Sequence, residues 1–301
     1  MQNFLGEFYF FIEVLISGLL TGTLYSLIAL GFVLIFKASG VFNFAQGAMM
    51  LFAALSFVGI QEKLGVPWPV AFVLAVLIMV ILAYLVDKLV LGKLVNQEPI
   101  ILFMATIGIT FFIDGFGQTV WGSDIKVLDI GIPTGPLFIF DILIDKLELV
   151  AGVVAGVMVA GLAIFFSKTK VGRALRAVAD DHQAALSVGI SLHHIWIIVW
   201  SVAGLVGLIA GIMWGTKLGV QFSLSLVALK ALPVLILGGF TSIPGAIVGG
   251  LIIGAGEKLA EIYIGPFIGG AIENWFAYML AMVFLLFRPQ GLFGEKIIER
   301  V

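Results

Sequence analysis

The chain has 301 residues, 61% of them hydrophobic and 11% charged, with a formal net charge of −2 and a mean hydropathy of +1.20. A soluble domain carries about a quarter charged residues, so the composition describes a membrane protein. The charge balance argues against a nucleic-acid partner, and the lack of cysteine excludes disulfides, thiol catalysis and thiolate metal sites.

The N-terminus, MQNFLGEFYFF, has no basic region and no small-residue cleavage site, so no signal peptide is expected. In chain order, apolar stretches predict spans over 9–36, 43–60, 69–86, 99–117, 147–167, 194–216, 226–240, 244–260 and 271–287. The expected fold is all-α: a single transmembrane domain over 1–301 with about nine membrane helices (8–10) at roughly 20 residues each, some of them discontinuous. The seventh span is short and holds Pro233 and Gly238-Gly239, and only KASGVF separates the first two.

Basic residues set the expected orientation. Lys37, Lys88, Lys93, Lys168, Lys170, Arg173, Arg176, Arg288, Lys296 and Arg300 fall on one side. Lys63, Lys126, Lys146 and Lys217 fall on the other, with Lys230 and Lys258 ambiguous. The excess predicts an outside N-terminus and a cytoplasmic C-terminus. Trp68, Trp121, Trp214 and Trp275 lie at the proposed outer ends and Trp196 and Trp200 near an inner end, where indole rings favour headgroups. The loop 118–146, with Asp124, Asp129, Asp141 and Asp145 around GIPTGP, reads as an ordered extracytoplasmic segment that can contain a short hairpin. Glycines at four-residue spacing (Gly18/Gly22, Gly152/Gly156, Gly207/Gly211/Gly215, Gly245/Gly249 and Gly250/Gly254) suit close helix packing in lipid.

Enzyme motifs are missing: there is no G-x-x-x-x-G-K-[ST], H-E-x-x-H or G-x-S-x-G. His193 and His194, adjacent at a helix start, make a poor metal site. Candidate path residues are therefore intramembrane polar groups. Glu13, Ser17, Thr21 and Tyr25 form one stripe and Thr106, Thr110 and Asp114 another. Both suit a water-accessible path, or equally snorkelling with interhelical hydrogen bonds. No deep carboxylate relay is legible, which weakens a proton-coupled reading. Two stretches read as broken helices, VLIFKASGVFNFAQGAMM (33–50) and VLILGGFTSIPGAIVGG (234–250). Such paired breaks mark transport paths, with coincidence in apolar sequence as the alternative. Asn43, Gln46, Gly238, Gly239 and Ser242 are the candidates there.

Residues 168–189 interrupt the apolar pattern. Val171, Ala174, Leu175 and Val178 repeat at helical spacing while Arg173 and Arg176 take the other faces. Asp180 or Asp181 can cap a second short helix and Gly189 can end it. A helical hairpin on the cytoplasmic face is expected, either an amphipathic linker on anionic lipid or a coupling element fitting a groove on an ATPase.

QAALSVG (Gln183–Gly189) resembles a degenerate E-A-A-x-x-x-G loop of ABC importer permeases. NFAQG (Asn43–Gly47), KALPVLILGGFTSIPGAIVGG (Lys230–Gly250) and RPQGLFG (Arg288–Gly294) resemble the branched-chain amino acid permease family of the LivH type, in that family's order and along essentially the whole chain. The resemblance implies an importer permease in the bacterial inner membrane, paired with a second, related permease as a heterodimer. Two cytoplasmic ATP-binding subunits would use ATP and Mg, and an extracytoplasmic binding protein would deliver the solute. This chain would hold no cofactor and perform no catalysis. Arg173, Arg176, Asp180, Asp181 and Gly189 would belong to the coupling surface. The chain departs from the family's N-F-A-[HQ]-G-E at Ala48 and from L-G-G-x-G-S at Thr241. Without a carboxylate at 48 the cargo need not be an amino acid; amides, urea and organic acids remain open. The alternative reading is an ion-gradient-driven secondary transporter or channel. A membrane enzyme ranks below both, for want of a catalytic constellation.

Overall fold

The structure, a computed structural model, describes residues 2–94, 97–133, 135–139 and 142–294. Asp141, Lys296 and Arg300, and Thr134 within GIPTGP, lie outside them. In chain order the helices are α1 (Gln2–Ser39), α2 (Gln46–Leu64), α3 (Trp68–Leu89) and α4 (Pro99–Trp121). After strands β1 (Pro136–Ile139) and β2 (Ile142–Asp145) come α5 (Lys146–Lys168), α6 (Lys170–Asp180), α7 (His182–Ser187) and α8 (Leu192–Leu218). The last elements are α9 (Ser223–Val227), α10 (Leu232–Gly238), α11 (Ile243–Tyr263), α12 (Gly265–Ile268) and α13 (Phe276–Phe287).

Among the described residues seven helices are long and apolar enough to cross a membrane, and two shorter apolar segments, Ser223–Gly238 and Phe276–Phe287, occupy the seventh and ninth predicted spans. The chain is an all-α polytopic membrane protein. Both short segments have local causes. A 3-10 turn, Ala228–Ala231, separates α9 from α10, where Pro233 lacks the N–H a continuous helix would use. The ninth span begins at Phe276 instead of 271 because the chain turns left-handed at Gly269, Gly270 and Ala271 (φ 98°, 82° and 57°). The Glu261 carboxylate holds that turn by accepting the N–H groups of Ala271 and Glu273, each at 3.0 Å.

The helices divide into two compact units. The first comprises residues up to Ala29, Gly131–Val159 and the chain from Lys230. Here β1 and β2 pair antiparallel, Pro136 opposite Asp145, giving the 118–146 loop its hairpin. Its helices meet through glycine. A Cβ at Gly22 would lie 2.6 Å from the Gly250 carbonyl oxygen and one at Gly18 2.8 Å from Ala255 Cα. Only hydrogen fits at so close a backbone approach, the arrangement that associates helices where apolar burial gives no drive.

The second unit comprises Leu30–Ile130 and Ala160–Leu229. Its centre is α2, buried on every face from Gln46 to Ile60 and packed by α8, α3, α4 and α9. Gly207 and Gly211 let α8 approach α2 at Met50. Trp196 and Trp200 differ from the sequence expectation. They are 3% and 2% exposed, inside this unit instead of at a headgroup surface, and Trp196 Nε1 donates to the Ala38 carbonyl at 3.0 Å. An indole with an internal acceptor has no need of the interface.

Loops that the charge pattern assigned to one side meet within this unit. At one end the Glu62 carboxylate pairs with Lys126, Lys63 Nζ donates to the Val120 carbonyl at 2.6 Å, and Lys126 bridges to Val220 through backbone bonds of 3.1 and 2.9 Å. At the other, Asp87 meets His193 at 3.1 Å and Trp196 meets Ala38.

Candidate translocation path and coupling surface

The first helix break runs from Gly40 to Ala45. Interrupting a helix leaves carbonyls and amides without intrahelical partners, and in hydrocarbon each unsatisfied group costs several kcal/mol. Side chains supply the partners here. Asn43, fully buried, accepts the Ala45 N–H on Oδ1 at 3.1 Å. Thr106 Oγ1, from α4, accepts the Phe44 N–H at 3.1 Å and donates to Phe103 O at 2.8 Å. Gln46, also fully buried, donates from Nε2 to the Ala203 carbonyl at 3.2 Å, while its Oε1 is buried without a partner. Gly31 makes room for that amide: a Cβ there would stand 2.5 Å from Gln46 Nε2. Asn43 and Gln46 thus build the break from inside the unit.

Beside the break lies a cavity of about 180 Å³. Phe42, Phe44, Gly47 and Ala48 contribute from the break and α2, Thr110 and Asp114 from α4, and Ser225 from α9. Asp114 and Thr110 therefore face the space that Ala48 borders. The cavity next to the position without a carboxylate holds one from another helix.

The second break, Gly239–Ser242, is closed differently. Gly239 has φ 103°, open to glycine. Ser242 caps α11, its Oγ accepting the Gly245 N–H at 3.0 Å. The carbonyls ending α10 are met by the RPQGLFG segment: Leu292 N–H donates to Leu237 O at 2.8 Å and Phe293 N–H to Gly238 O at 3.2 Å. Gly291 permits this approach, since a Cβ there would lie 2.7 Å from Gly239 N. Gly238 itself packs backbone to backbone on Gly245.

The stripe on α1 is consumed by contacts within its unit. Glu13 accepts the Leu143 N–H at 3.1 Å. Ser17 donates to Glu148 Oε2 at 2.6 Å. Thr21 is buried, and Tyr25 reaches Glu257 Oε1 at 3.4 Å.

Glu257 is a residue that sequence reasoning missed. It is 2% exposed, pairs with Lys230 at 2.8 Å and keeps Oε2 buried without a partner. A carboxylate inside the apolar run of α11 was the available signal; its partner is 27 residues away and is found only through the chain reversal at the second break. Asp87, 3% exposed, is a second buried carboxylate that the sequence left unmarked.

The 168–189 segment forms the expected pair of helices. Thr169 caps α6, its side chain accepting from Gly172 N. Asp181 caps α7, accepting the N–H groups of Gln183 and Ala184 at 2.8 and 3.0 Å. Gly189 ends it at φ 86°. Leu175 and Val178 are buried; Arg173, Arg176, Asp180 and Asp181 are exposed. Arg176 is nevertheless tethered, with Nη1 donating to Phe166 O at the end of α5 (2.8 Å), whereas Arg173 has no such bond among the described contacts.

A helical membrane protein with two breaks and a capped amphipathic hairpin is the class that these features define. Residues 14–288 match the family described as "Branched-chain amino acid transport system / permease component", and the chain belongs to that family. It is 26% identical to the high-affinity branched-chain amino acid transport system permease protein BraD of Pseudomonas aeruginosa, covering 98% of this chain and 99% of the relative. It is also 26% identical to LivH of Escherichia coli strain K12, with 98% and 99% covered. The probable branched-chain amino acid transport permease protein LivH of Methanocaldococcus jannaschii is 27% identical, with 93% and 92% covered. A solved structure titled "PsaBC from Streptococcus pneumoniae in complex with Fab" is similar at a TM-score of 0.49 and 16% identity, covering 90% of this chain and 89% of that one.

Proposed function

We propose that the chain is the membrane subunit of an ATP-driven importer that carries a small polar solute inward across the bacterial inner membrane. The solute is a branched-chain amino acid or a related amide, urea or organic acid. The observation that carries this reading is the family match along residues 14–288, with relatives of the same length named as branched-chain amino acid permeases. A second, related permease would complete the path, two cytoplasmic subunits would hydrolyse ATP with Mg, and an extracytoplasmic binding protein would present the solute. The N-terminus lies outside and the C-terminus inside, following the basic residues. The α6–α7 hairpin then lies in the cytoplasm, where its exposed Arg173 and Asp180 meet the ATPase. The first break and its cavity handle the solute.

The test is uptake of radiolabelled L-leucine into liposomes containing the purified complex, with ATP inside and the binding protein outside. Uptake should require internal ATP and persist when ion gradients are collapsed. Uptake that ignores ATP removal and follows an ion gradient would assign the chain to secondary transporters or channels instead.

A further inference from the structure

The cavity beside the first break has a composition that selects its occupant. Its walls include the rings of Phe32, Phe42, Phe44, Phe111 and Phe222, with Phe32 and Phe42 stacked at 4.9 Å and Phe42 and Phe44 edge-on at 6.4 Å. Among the described residues Asp114 is the one charged residue bordering it, and one of its carboxylate oxygens is buried without a partner. Aromatic faces attract cations, and a carboxylate in a low-dielectric wall interacts with a positive charge more strongly than it would in water. The volume, about 180 Å³, slightly exceeds the roughly 150 Å³ apolar cavity that accepts benzene. It suits a body of four to six carbons with one polar end. Resting on the reading of this break as part of the path, we propose that the cavity is a subsite for a small solute with a protonated amine and an apolar body, the ammonium set against Asp114 and the body among the phenylalanine rings. Thr110 and Ser225 also line it, their hydroxyls donating to the Thr106 and Phe222 carbonyls at 2.8 Å each and leaving oxygen lone pairs to accept.

The chain has no cysteine, so Thr110→Cys, one turn from Asp114 on α4, introduces a single thiol that a mass shift of this subunit reports. In the full complex in membranes, a trimethylammonium methanethiosulfonate should label it roughly tenfold faster than the sulfonate analogue, relative to their rates on a free thiol. The preference should vanish with Asp114→Asn and survive with Asp114→Glu. An excess of 3-methylbutylamine should slow labelling and 4-methylpentanoate should not. Equal rates for the two reagents, or protection by the acid, would overturn the subsite. So would no labelling by either reagent, the result if lipid or a partner helix fills the groove. Labelling needs no ATP, so its failure is distinct from failure of the uptake assay.

Discussion

The two helix breaks begin from similar sequence and end in different structures. Both run from V-L-I-[FL] through a glycine-containing stretch into Gly-Ala, and both strand backbone groups where lipid offers no partner. At Asn43 the remedy is side chains from neighbouring positions and from one helix, α4. At Gly239 it is the backbone of a segment some fifty residues further on, admitted by Gly291. The first break can be altered one hydrogen bond at a time and borders an open cavity. The second depends on a whole segment and is packed glycine against glycine. The first therefore leaves open space beside its backbone, whereas the second is closed by backbone against backbone.

Gly291→Val should break that contrast most severely. It places a side chain at φ 79° against the Gly239 backbone, at a cost of about 3 kcal/mol or more, seen as lost thermal stability and poor yield of monodisperse complex. Wild-type behaviour would mean that the second break does not need its tail. Next, Lys230→Met leaves Glu257 buried without its counter-charge, and should destabilise by about 3 kcal/mol; adding Glu257→Leu should recover much of that loss in the same melting assay. Thr106→Val at the first break removes the acceptor of the Phe44 N–H and should cost about 1–2 kcal/mol, while Thr106→Ser should cost little. The smallest effect on stability is expected at the hairpin. Arg173→Glu should lower solute-stimulated ATP hydrolysis with melting unchanged. Arg176→Glu should also weaken the end of α5, by about 1 kcal/mol, so its uncoupling would carry a structural component. Full coupling in Arg173→Glu would remove that residue from the docking surface.

Much of this was legible in the sequence because it is local. Hydropathy located the spans, Asp180 or Asp181 with Gly189 marked the second helix of the hairpin, and glycine-bearing polar stretches marked both breaks. What the sequence concealed is partnership over distance. Nothing in α11 says that Glu257 meets Lys230, or that Glu261 shortens the last span by holding Ala271 in a left-handed turn. Trp196 and Trp200 are hidden for the same reason. The interfacial preference of an indole is a surface rule, and Trp196 found an internal carbonyl. The candidate path was half visible: Asp114 and Thr110 were marked by their spacing, but the aromatic walls around them come from several elements.

The three-segment make-up of the first unit has a consequence for biogenesis. A chain synthesised from its N-terminus delivers the second unit complete at Leu229, before the last and longest segment of the first unit, from Lys230 onward, exists. Gly18 and Gly22 on α1 wait for Gly250 and Gly254 through more than two hundred residues of elongation, roughly 10–50 s at about 5–20 residues per second. Throughout that interval α1 carries a bare, small-residue face in the bilayer. A foreign helix with a matching face could pair there first, so substitutions that slow elongation or insertion downstream should trap misassembled chains although every residue of the finished fold is unchanged.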